Sequence, residues 1–86
     1  MPTISQFPVS TPGTSYLEVP AGATLISAME KDGGVVVLYC GDMDAPDVPR
    51  MVEVVGTGWY YGPDCHWVAT VPVDGYVWHV MDVYDN

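Results

Sequence analysis

Short stretches rich in Val, Ile, Thr, Tyr and Trp, separated by turn residues, make up the chain. In several of them apolar and polar positions alternate with a period of two, which is typical of strands with one buried face. The best helical candidate, residues 25–31, lacks an apolar stripe of helical spacing and is interpreted as a strand. The predicted strands are 3–9, 15–19, 24–30, 35–40, 50–55, 66–71 and 76–84. This pattern predicts an all-β fold: a small antiparallel sandwich or partly open barrel of about six to seven short strands.

Three segments have predicted positions within this fold. Pro8 interrupts the first strand, and because proline cannot donate to the ladder, we predict an edge strand there. Lys31–Gly34 contains Asp-Gly and Gly-Gly, which predicts a hairpin. The run Val35–Tyr39 has no polar alternation and predicts a central strand. At 86 residues the chain has room for one core, so we predict a single domain, 1–86, with residues 1–13 as a loosely attached N-terminal edge segment.

The charge balance restricts the possible partners. Eleven Asp and Glu face two cations, Lys31 and Arg50, and the net charge is −9. Nucleic-acid binding draws most of its affinity from Lys and Arg, so we expect no direct nucleic-acid binding and no binding to anionic membranes. The longest apolar run is far shorter than a membrane span, and the first residues lack the basic start of a secretion signal. We therefore expect a reducing compartment, in which Cys40 and Cys65 are small, buried thiols.

Candidate metal ligands are few and badly spaced. Four soft ligands could in number form a zinc site, but Cys65 and His66 are adjacent on a predicted strand and point to opposite faces. The segment Asp42–Asp47 resembles the start of a calcium loop, yet Pro46 stands at the fifth position and no Glu closes the loop. The remaining soft ligands are Cys40 and His79. We expect neither a metal nor a cofactor.

Catalytic motifs are equally weak. The glycines of Gly56-Thr57-Gly58 precede no helix that could receive a phosphate, so a tight bend explains them. None of the serines lies in a nucleophile elbow, and most carboxylates lie in turns where water keeps them ionised. The sequence predicts a protein that is not an enzyme.

Aromatic residues are concentrated in the C-terminal third. Alternation in the last strand places Tyr76, Trp78 and Val80 on one face, and one of its two faces is predicted to be core. The opposite face carries Val77, His79, Met81 and Val83.

Two surface features are candidates for binding. The consecutive residues Trp59, Tyr60 and Tyr61 cannot all be buried in a core this small, and Trp and Tyr dominate binding hot spots. The second feature is a loop predicted over residues 41–49, here called the acidic loop, which carries three carboxylates and two prolines. Its carboxylates favour basic surfaces. The predicted partner-binding residues are Trp59, Tyr60, Tyr61, Asp42, Asp44 and Asp47. In the alternative interpretation, the aromatic loop caps the end of the fold and the charge only confers solubility.

Four segments, in this order, carry a family resemblance: Val19–Ala23 with Leu25–Ser27, Asp42–Pro46, Val54–Gly58 and Val77–Val80. Between Tyr16 and Val83 the chain thus resembles a family of small phage and prophage proteins of unassigned function. It departs from that family at Trp59, where histidine is expected after Gly-Thr-Gly, and the N-terminal segment has no counterpart. The resemblance implies a viral origin and a setting in the host cytoplasm. It implies no activity and no site residues.

Together these features predict a non-enzymatic, phage-type acidic protein that binds another protein of the host or the phage. In this hypothesis it inhibits a host or defence factor by competing for a basic surface, with carboxylates in place of phosphates and the aromatic loop as anchor. The alternative is a virion or assembly component that self-associates or packs on other phage proteins, so a homo-oligomer is possible.

Overall fold

A computed structural model describes residues 1–84, which form an antiparallel β-sandwich. The strands in this range are β1 (Pro2–Val9), β2 (Gly13–Pro20), β3 (Thr24–Lys31), β4 (Gly34–Asp42), β5 (Asp47–Gly56), β6 (Cys65–Val73) and β7 (Tyr76–Val83). One sheet has the order β1-β4-β3 and the other β2-β5-β7-β6. The all-β prediction is confirmed. Because both sheets end in free edges, the fold is a sandwich and not a closed barrel.

The predicted positions of three segments are confirmed. β1 is an edge strand, paired with β4 along all eight of its residues, and β4 is the central strand of its sheet. The hairpin between β3 and β4 turns at Asp32 and Gly33, whose φ angles of 54° and 82° belong to the left-handed region that two-residue hairpins require. Within residues 1–84 there is no helix, and so none that could span a bilayer.

The core lies between the two sheets and consists largely of valine. Val37 from the smaller sheet packs against a cluster that includes Val52, Val54 and Val80 from the larger one, and all four are fully buried. β-branched side chains fit this pleated, two-sided environment. Trp78 also packs on the core, which confirms the predicted alternation along β7.

A polar cluster is embedded in the inner face of the larger sheet. Arg50 Nη2 donates to Asp82 Oδ2 at 2.9 Å, and Nη1 donates to the carbonyl oxygen of Ala23 at 3.0 Å. The Arg50 guanidinium carbon lies 5.7 Å from the ring centroid of Tyr39 on the opposite sheet. Burial, and then the nearby Asp82 carboxylate, raise the pKa of Tyr39 to about 12, although Arg50 acts in the opposite direction. The cation therefore holds together two strands of one sheet and the facing strand of the other.

Two predictions about local structure are wrong. The acidic loop predicted over residues 41–49 comprises only residues 43–46, because β5 begins at Asp47. Pro49 pairs with Glu18 of β2, whereas the pairing of β5 with β7 begins at Met51. At Pro49 the strand β5 is therefore a local edge, where proline is tolerated. The thiols of Cys40 and Cys65 are free but only half-buried, and neither belongs to the core cluster.

Candidate functional site

The predicted partner-binding residues lie at opposite ends of β5. Asp42, Asp44 and Asp47 surround the turn that enters this strand, and Trp59–Tyr61 follow its end. A ten-residue strand is about 30 Å long at ~3.3 Å per residue, so the two groups do not form one contiguous patch. The structure brings together the members of each group and keeps the groups apart.

The acidic end is organised by local hydrogen bonds. The backbone N–H of Asp44 donates to Asp42 Oδ1 at 3.0 Å, and the backbone N–H of Ala45 donates to the Asp42 carbonyl oxygen at 3.0 Å. The N-terminal ammonium lies 3.5 Å from the same Asp42 oxygen, in a solvent-exposed pair of small energetic value. The carboxylates of Asp42, Asp44 and Asp47 belong to exposed residues.

The aromatic end begins with a tight turn. The backbone N–H of Trp59 donates to the Gly56 carbonyl oxygen at 3.2 Å, and Gly58 has a φ of 85°, which favours glycine. A Cβ at Gly56 would lie 2.9 Å from two atoms of the Trp59 indole, so the ring can lie over the strand only because this residue is glycine. This result confirms the interpretation of Gly56-Thr57-Gly58 as a bend.

The three aromatic residues of this loop differ in their environment. Trp59 is 52% exposed and packs edge-to-face against Trp78, with ring centroids 5.8 Å apart, so it caps one end of the sandwich. Tyr61 is 59% exposed, and Tyr60 is completely exposed. Trp59 thus closes the end of the fold, while the two tyrosines face solvent.

An aromatic pocket of about 370 Å³ opens on the outer face of the larger sheet. Its floor includes Val55 and Met81, which are each only 5% exposed although they point away from the core. Its aromatic walls are Trp59, Tyr61 and Trp67. We call these five residues, together with His79, the aromatic pocket.

A β-bulge places Trp67 on this outer face. The register of β6 against β7 shifts between Trp67 and Ala69, so that Trp67 lies opposite Met81 while Ala69 lies opposite the core residue Val80. Without the extra residue, strict alternation would put Trp67 on the same face as Ala69. The bulge leaves the indole 62% exposed beside the pocket floor.

A chain of hydrogen bonds fixes the pocket wall. Trp67 Nε1 donates to Thr70 Oγ1 at 3.0 Å, Thr70 Oγ1 is hydrogen-bonded to His79 Nδ1 at 3.0 Å, and His79 Nε2 is hydrogen-bonded to Thr57 Oγ1 at 2.8 Å. These bonds link β6, β7 and the turn after β5. The pocket is therefore preorganised by residues far apart in sequence.

The outer face continues beyond the pocket as an apolar row. Tyr16 lies opposite Met51, Met51 opposite Val83, and Val83 opposite Cys65. Between this row and the pocket, Glu53 Oε2 accepts a hydrogen bond from the thiol of Cys65 at 3.1 Å. Partial burial, and then this hydrogen bond and the charge of Glu53, raise the pKa of the Cys65 thiol, so Cys65 lacks the lowered pKa of a catalytic nucleophile.

A second cleft, of about 480 Å³, opens between the edges of β3 and β6. Arg50 and Asp82 line it and pair with each other through Asp82 Oδ2, while the second carboxylate oxygen of Asp82 is buried without a hydrogen-bond partner. At its rim the His66 ring stacks on Tyr84, with centroids 4.0 Å apart. In the range 1–84 no group of three His, Cys, Asp or Glu side chains converges on a possible metal position.

Sequence reasoning missed most of the aromatic pocket. Trp67 was not among the predicted site residues, because its side depends on a bulge that alternation does not reveal. Met81, Val55 and Thr70 resemble ordinary strand residues. One pocket residue could have been found from the sequence: alternation along the last strand places His79 on the outer face, away from Trp78 and Val80. Its bond to Thr57 also joins two segments that carry the family resemblance.

Comparison with known proteins identifies a family for the whole chain. The chain belongs to the family described as Domain of unknown function (DUF7352), whose profile matches residues 1–86. Comparison with curated proteins and with solved structures gives no match.

Proposed function

We propose that this member of the DUF7352 family is a non-enzymatic binding module that uses the outer face of its larger sheet to bind a basic surface on another protein. The observation that carries the proposal is the preorganised aromatic pocket beside the apolar row Tyr16–Met51–Val83. Exposed aromatic side chains whose positions are already fixed lose little conformational entropy on binding, which makes them effective anchors.

Charge supports a basic partner. The net charge is −9, and of the two cations Arg50 is paired with Asp82 on the inner face. Lys31 lies at the β3–β4 hairpin of the other sheet. A protein with this negative field attracts basic surfaces and repels phosphates. The mechanism we propose is therefore that the protein competes with a nucleic acid for the basic surface of a host or defence factor.

In this mechanism the acidic loop and the aromatic loop make separate contributions to binding. Because Asp42, Asp44 and Asp47 lie about 30 Å from the aromatic loop along β5, they contribute long-range attraction to a partner docked on the pocket. Tyr60 and Tyr61 lie at the docking site itself. The phage origin and the host cytoplasm rest on the resemblance of short segments and remain predictions.

The assembly hypothesis has less support from the structure. Each edge strand carries a feature that opposes strand addition: Pro2 and Pro8 in β1, Pro20 in β2, a bulge in β3, and a bulge with Pro72 in β6. Like charge also opposes association of two copies. A homo-oligomer in dilute solution would favour assembly over a foreign partner.

The test is affinity capture from a host lysate at low and high salt with three forms of the protein. Wild type should retain a basic protein that is lost at high salt. The double variant Tyr61→Ala with Trp67→Ala should fail to retain it. Met29→Ala, which changes an exposed residue on the smaller sheet, should retain it like wild type. Equal retention by all three forms, or retention that salt does not alter, would contradict the proposal.

A further inference from the structure

We propose that the aromatic pocket binds the guanidinium group of an arginine side chain, which would come from the basic partner if the proposed function holds. Three aromatic side chains, Trp59, Tyr61 and Trp67, line one pocket. The faces of such rings carry negative partial charge and attract a cation placed within about 6 Å of the ring centroid. Aromatic residues around one small pocket are the arrangement by which proteins recognise organic cations.

The surroundings of the pocket favour a cation over an apolar group. No Lys or Arg lines it, and the net charge of −9 gives the whole molecule a negative field. The nearest carboxylate in the sheet register is Glu53, which lies opposite Met81 of the pocket floor. A cation that enters from solvent therefore meets a negative field and no Lys or Arg side chain in the pocket lining.

The chemistry of the pocket lining favours arginine over lysine. A guanidinium is planar, stacks on flat rings and is more weakly hydrated than an ammonium group, so it loses less on entering a partly apolar pocket. Val55 and Met81 form an apolar floor against which the methylene stem of the side chain can pack. The hydrogen bond from Trp67 Nε1 to Thr70 fixes one wall before the ligand arrives.

The experiment is an NMR titration of the full chain with N-acetyl-arginine methylamide, observed at the indole N–H resonances of the three tryptophans. N-acetyl-citrulline methylamide is the matched control, since citrulline has nearly the same shape as arginine and no charge. We expect a saturable shift of the Trp67 and Trp59 resonances with the arginine compound. The citrulline compound should bind about fivefold more weakly or worse.

Two variants locate the site. Trp67→Ala should weaken the binding of the arginine compound by about fivefold, since it removes one aromatic wall. Met29→Ala should leave binding within twofold, because Met29 lies on β3 of the smaller sheet and does not line the pocket. A dispersed amide spectrum shows that each variant is folded.

Equal affinity for the two compounds, the absence of a saturable shift, or equal losses in the two variants would overturn the proposal. These outcomes are separate from those of the capture experiment. A captured partner that depends on Tyr61 and Trp67 would preserve the proposed function even if the arginine compound did not bind. If the arginine compound bound but no partner were captured, the proposal that the pocket binds arginine would stand and the proposed function would be contradicted.

Discussion

The two faces of the larger sheet use polar groups in opposite ways. On the inner face, Arg50 and Asp82 pair with each other beneath Tyr39. On the outer face, the hydrogen bonds from Thr57 through His79 and Thr70 end at Trp67, whose ring remains mostly exposed. The inner ion pair is buried between the sheets, whereas the outer hydrogen bonds hold a mostly exposed aromatic ring in place.

This difference gives the two faces separate roles. Changes on the inner face should lower the free energy of unfolding and leave the pocket's ligand affinity unchanged. Changes on the outer face should lower the affinity and leave stability nearly unchanged.

Removal of the inner cation should have the largest effect. Arg50→Ala leaves the Asp82 carboxylate buried and unpaired, which should lower the free energy of unfolding by about 3 kcal/mol, measured by urea denaturation. The double variant Arg50→Met with Asp82→Leu should recover most of that loss, because neither charge remains. If the double variant were as unstable as the single one, the ion pair would not be the cause.

High pH should weaken the inner face through Tyr39. Its pKa in the folded protein is raised to about 12 from an ordinary 10, so the folded state holds this proton more tightly than the unfolded state does. The stabilisation is complete below pH 10 and is lost as the pH rises from 10 to 12, by about 2 to 3 kcal/mol in total. Tyr39→Phe should lack this part of the pH dependence. Parallel curves for the two proteins between pH 9 and 12 would contradict the prediction.

On the outer face, Thr70→Val tests the hydrogen bonds that hold Trp67. Valine keeps the shape of threonine but removes the hydroxyl that bonds to both Trp67 and His79. We expect the affinity for the arginine compound to fall about threefold and the free energy of unfolding to change by less than about 0.5 kcal/mol. NMR titration and urea denaturation measure the two quantities on the same sample. A large loss of stability with unchanged affinity would reverse the roles assigned to the two faces.

The acidic loop should have the smallest effect on the isolated protein. Asp42→Asn, Asp44→Asn and Asp47→Asn together should change stability by less than about 1 kcal/mol, because these carboxylates are exposed. They should reduce the salt dependence of partner capture without abolishing capture. Complete loss of capture would place the principal contact at the acidic end of β5.

The sequence was sufficient to locate the strands but not to pair them. Turn residues such as Asp32 and Gly33 identify a hairpin because only a few residues accept their backbone conformation. The pairing of β1 with β4 and of β2 with β5 depends on contacts between distant segments, which local patterns do not encode. Alternation predicts the two faces of β7, whose ladder with β5 is regular, but it cannot assign the face of Trp67, where a bulge shifts the register of β6. The candidate site was therefore only partly predictable.

The claim that the outer face of the larger sheet binds the partner can be tested most directly by site-specific photo-crosslinking in a host lysate. A photoreactive phenylalanine derivative is placed at position 60, at the fully exposed residue beside the aromatic pocket, and separately at position 29 on the smaller sheet. We expect a crosslink to one basic protein from position 60 and none from position 29. A crosslink to the same protein from position 29 alone would contradict it.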